Sequence, residues 1–71
     1  MTFSLAEQIK EVKLEIMFRQ STYRKMVEQN RMRSDVAARR LAIMADVLST
    51  LEELRAQAVT PAPDQIELAL R

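Results

Sequence analysis

The sequence predicts an all-α fold: an antiparallel hairpin of two long helices with a short C-terminal helical tail, dimerising into a four-helix bundle. Three observations carry this. From Leu5 onward, Leu5, Ile9, Val12, Ile16, Arg19, Tyr23 and Met26 follow one another at steps of four and three, with Val27 beside the last. That is the period of one face of an α-helix about six turns long, apolar except at Arg19. The chain has no glycine, and its two prolines both lie after residue 60; tight β-hairpins are disfavoured and long uninterrupted helices favoured. Finally, 71 residues without cysteine or histidine have neither disulfides nor the usual zinc ligands to support a small core. A partner chain is the support that remains.

The first helix begins at Leu5. Ser4 and Glu7 fit the capping box, in which the serine oxygen accepts from the Glu7 backbone N–H and the carboxylate bonds back. Glu7 with Lys10 and Glu15 with Arg19 are spaced as ion pairs worth a few tenths of a kcal/mol each. Phe3, Leu14, Met17 and Phe18 lie away from the main stripe. Scattered apolar residues on a surface are ordinary. The alternative, preferred here, is a second face reserved for an oligomer or partner.

Near Gln29 the periodicity stops. Asn30 tolerates the left-handed backbone that ends helices, and Ser34 followed by Asp35 supplies a cap and a favourable charge for the next helix. Residues 30–33 are therefore a short connection, which makes 1–59 an antiparallel hairpin. The second helix carries Val36, Ala37, Leu41, Met44, Val47, Leu48, Leu51, Leu54 and Ala58 on one broad face. Folding the hairpin at Met32 sets Tyr23 against Leu41, Ile16 against Leu48, and Val12 against Leu51 or Glu52. Ala37, Ala42 and Ala45 are small enough for close approach, and Arg40 falls where it can cover the Tyr23 ring. Three roles are open to Arg19 and Arg40 alike: snorkelling, a structural ion pair, or a specificity contact. Over 60–71, Thr60-Pro61-Ala62-Pro63 forms a stiff linker, and Asp64 to Leu70 a short apolar-sided helix, frayed or docked.

The pattern Val12, Glu15-Ile16, Arg19, Tyr23, Val27, Arg31-Met32, Ala37, Arg39-Arg40-Leu41-Ala42, Met44 and Leu48 resembles a family of small helical proteins encoded by tailed bacteriophages and prophages. The likeness covers roughly residues 9–54. The chain departs from it at Arg24, where proline is common, and at Asn30, where glycine is common. Those departures imply a straighter first helix and a slightly strained turn. In size and architecture the chain is also similar to phage anti-activators that bind host regulators; that likeness is by analogy of fold alone and brings no functional residues.

Charge is divided along the hairpin. Residues 19–40 hold seven basic and two acidic side chains, residues 1–18 two basic and three acidic, and residues 41–71 two basic and five acidic. The turn end is basic and the open end acidic. This suits an antiparallel homodimer, or docking on an acidic protein groove. Phosphate binding by the arginines of the turn is the alternative, but the overall charge is only +1 and Tyr23 is the one aromatic ring in that region. An enzyme is the least expected class, since Glu52 and Glu53 point to different sides of a helix and a hairpin encloses no pocket. No catalytic set, metal site or cofactor is expected. No apolar run reaches the length of a membrane span and no secretory leader opens the chain, so the expected setting is the cytoplasm.

The expected function is thus protein binding: a phage-encoded dimer that blocks a host protein such as a transcriptional regulator. Its expected contacts are Leu14, Met17 and Phe18 on the outer face with Arg24, Arg31, Arg33 and Arg39 near the turn. Leu5, Ile9, Val12, Ile16, Tyr23, Val27, Leu41, Met44, Leu48 and Leu51 form the core and dimer set. A small nucleic-acid-binding accessory protein is the alternative, and a virion assembly factor the third.

Overall fold

A computed structural model of the chain describes residues 2–59, which form two helices packed against each other: α1 over Leu5–Glu28 and α2 over Ser34–Val59. Among the described residues there is no strand. The 24 and 26 residues give rods of about 36 and 39 Å at the rise of an α-helix. The linker and terminal helix expected over 60–71 lie outside the described residues.

Local chemistry fixes the ends of α1. Ser4 sits in extended backbone, and its Oγ accepts from the Glu7 N–H at 3.1 Å, taking up one of the unpaired donors of the first turn. Beside it the Gln8 side chain donates to the Phe3 carbonyl at 3.0 Å, a second tie between the first turn and the segment before it. At the far end Asn30 has φ 58°, the left-handed region. The Asn30 N–H reaches the Val27 carbonyl at 3.1 Å and the Arg31 N–H reaches Met26 at 2.8 Å. Those two bonds are the Schellman arrangement, with asparagine in the place glycine usually takes.

The start of α2 corrects the expected cap. Arg33, rather than Ser34, occupies the boundary, because its carbonyl accepts the first helical bond from Ala37 at 3.0 Å. Ser34 is already in the helix, and Asp35 supplies the acceptor: its Oδ1 takes the Val36 N–H, and its Oδ2 the Arg33 guanidinium, each at 3.0 Å.

The helices meet along a narrow seam. Ile9, Tyr23 and Ala37 are buried, and Leu5, Val12, Ile16, Met26, Val27, Leu41, Met44, Leu48 and Leu51 are half-buried around them. Tyr23, Ala37 and Leu41 line one groove, and Val12 and Leu51 another, as an antiparallel register requires. The face expected on α2 is too broad. Val47, Leu54 and Ala58 are exposed, as are Ala42, Ala45 and Arg40. The reason is geometric. One neighbouring helix covers a single stripe, and a residue one place before or after it is rotated about 100° away. Val47 precedes Leu48 and Arg40 precedes Leu41; Ala42 and Ala45 follow Leu41 and Met44. Arg40 therefore does not cover Tyr23. A cation that does interact with Tyr23, through its hydroxyl, is Arg19, one turn earlier on α1 itself.

Candidate protein-interaction surfaces

Arg19 interrupts the apolar seam without burying a charge. It is half-exposed, and its Nε donates to Glu15 Oε1 at 2.7 Å. That bond, and secondarily Tyr23, raise the guanidinium above its ordinary pKa. Of the three roles open to Arg19, the ion pair is the one formed, and its exposure to solvent keeps its contribution small.

Three surfaces are left to water. The first is the outer side of α1, where Leu14, Met17 and Phe18 are exposed, Phe18 by 67%. Met17 and Phe18 are adjacent in sequence; Phe18 is turned about 180° from buried Ile9, while Leu14 and Met17 border a groove that Arg55 of α2 also lines. Lys25 and Arg24 follow Phe18 and Met17 by seven residues, two turns on the same sides, so the apolar patch runs toward the basic end. Phe3, 64% exposed, lies at the other end of α1.

The second surface is the turn. Arg24, Arg31, Arg33 and Arg39 are all exposed. Arg33 is held by Asp35 in an exposed pair and so brings less free charge than its position implies. Arg24, Arg31 and Arg39 take part in no ion pair among the described residues. The shallow groove here is lined by Val27, Asn30, Arg31, Met32, Arg33, Ser34 and Asp35, mixing apolar and cationic groups.

The third surface was not legible as one. Ile43, Val47 and Leu54 are 50%, 40% and 47% exposed, with Val36 half-buried in line with them. Val36, Arg40, Ile43, Val47, Thr50 and Leu54 follow steps of four and three. This repeat runs one residue ahead of Ala37, Leu41, Met44, Leu48 and Leu51, the seam that meets α1. Two such repeats offset by one place mark a helix with two packing sides. That offset was the signal available in the sequence, and reading one broad face merged the two.

No group of acidic, cysteine or histidine side chains suited to a metal is present among the described residues, and no described helix is long and apolar enough to cross a membrane. No family model matches the chain, and no curated protein and no solved structure matches it either.

Proposed function

We propose that this protein is a non-enzymatic binding module: a homodimeric helical hairpin that docks on another protein through the outer face of α1 and the basic turn. The observation that supports it is the exposure of Leu14, Met17 and Phe18 along α1. Water contact with three long apolar side chains costs free energy that a matching apolar surface recovers. Arg24, Lys25, Arg31 and Arg39 frame that patch toward the turn, so the complementary surface is an apolar groove with an acidic border. The resemblance to phage hairpin proteins makes a bacterial host protein the class of partner, its interface blocked by occupancy and the meeting place the host cytoplasm.

The test is capture of partners from nuclease-treated bacterial lysate by the wild type, by Leu14→Glu/Phe18→Glu and by Arg31→Glu/Arg33→Glu. The reading expects a protein held by the wild type and lost from the first variant. Equal capture by all three overturns it. Nucleic-acid binding is the alternative, favoured by the unpaired arginines of the turn. It predicts that capture disappears with nuclease, and that affinity for a short duplex falls steeply between about 50 and 200 mM salt.

A further inference from the structure

We infer that the flank of α2 formed by Val36, Ile43, Val47 and Leu54 is the seam on which a second copy of this chain sits, antiparallel, α2 against α2. The inference rests on the binding-module reading only for the statement that the chain self-associates. Its orientation and register come from α2 itself.

The hairpin alone is poorly buried. Among the described residues only Ile9, Tyr23 and Ala37 are withdrawn from water, while half of Ile43 remains in contact with it. A two-helix unit with so small a core needs further burial to offset its chain entropy. The stripe offers it. Its length from Val36 to Leu54 is about 27 Å at the rise of a helix, and its spacing is that of a coiled-coil seam.

A symmetric antiparallel pairing must be self-complementary. Placing the two-fold axis midway between Ile43 and Val47 sets Ile43 against Val47 of the second copy, Val36 against Leu54, and Arg40 against Thr50. Every apolar layer then meets an apolar layer, and the one cationic position meets a hydroxyl. The flank agrees. Arg39 falls against Glu53 of the second copy and Glu53 against Arg39, giving two symmetry-related ion pairs. Asp46 faces Asp46 across the axis, the one repulsive contact. A parallel pairing would instead put Arg40 against Arg40 within the seam.

This arrangement leaves Leu14, Met17 and Phe18 of each α1 outside the new seam, free for a partner. The dimer and the docking face are then different surfaces.

The experiment is sedimentation of the full chain over a range of concentrations. Wild type is expected as a dimer, and Val47→Asp as a species at least a hundredfold weaker in self-association. Because a lone hairpin can lose its fold with its dimer, charge reversal supplies the second test. Arg39→Glu and Glu53→Arg are each expected to weaken the dimer about tenfold, and the two together to restore it. Within one chain these residues are about 21 Å apart, beyond the screening length of physiological salt, so rescue reports contact between copies. A monomeric wild type, a Val47→Asp chain with wild-type mass, or a charge swap without rescue overturns the inference. Mass judges the seam and partner capture judges the binding reading, so one can fail while the other stands.

Discussion

Truncating Ile9 to alanine is the sharpest test of how the hairpin is held together. Ile9 is 4% exposed, the lowest value among the core residues. Losing three carbons from such a site costs about 2.4 kcal/mol at about 0.8 per carbon. The cavity term is small here, because the groove beside Ile9 is lined by Lys10, Lys13, Leu14, Met17 and Arg55, long side chains that can settle into the space. A total of about 2.5 to 3 kcal/mol follows, toward the low end for isoleucine in a core. A chain of this size has about 4 to 10 kcal/mol in all, so the loss is large, and the melting temperature falls by about 10 to 20 °C. Leu14→Ala, at 38% exposure, is expected to cost about 1.5 kcal/mol by the same area reasoning. Both are measured by denaturant titration with far-UV circular dichroism at one fixed concentration, since dimerisation makes stability concentration-dependent. Equal losses for the two variants would refute the assignment of seam and outer face.

Other expectations are smaller. Ser4→Ala removes the acceptor of the Glu7 N–H and is expected to cost about 1 kcal/mol in the same titration. Asn30→Val, placing a β-branched residue at φ 58°, costs about 1 to 2 kcal/mol, whereas Asn30→Gly is neutral or stabilising. Arg19 carries a raised pKa through its bond to Glu15. A cation raised in the folded state contributes fully below its unfolded pKa and loses that contribution only as pH climbs through the folded one. For an arginine this window lies above the working range, so the stability difference between wild type and Arg19→Gln is expected to be constant from about pH 7 to 10; a steady change across that range would contradict the ion-pair account.

The helices and their seam were legible because period and punctuation are local properties. Ile9, Val12, Ile16 and Tyr23 announce a face by spacing alone, and Asn30 announces a helix end because few other residues accept its backbone. The width of the α2 face was not legible. Val47 and Leu54 are as apolar as Leu48 and Leu51, and composition does not say which of two adjacent stripes a single neighbour covers. The boundary at Arg33 was missed for a similar reason: Ser34 and Asp35 can each cap, and the choice depends on the path of the Schellman turn before them. The outer patch of α1 was legible as exposed, since Phe18 is turned about 180° from Ile9 around the helix. Its partner is not encoded in any motif.

The most direct test of the account is the solution mass, by light scattering, of the wild type and of Leu14→Glu/Phe18→Glu, each followed by partner capture. Two chains of 8.2 kDa in both proteins, with the partner protein retained by the wild type and lost from the variant, is the predicted result. A variant that falls to a single chain would contradict it, making the outer face of α1 the dimer seam instead of the docking surface.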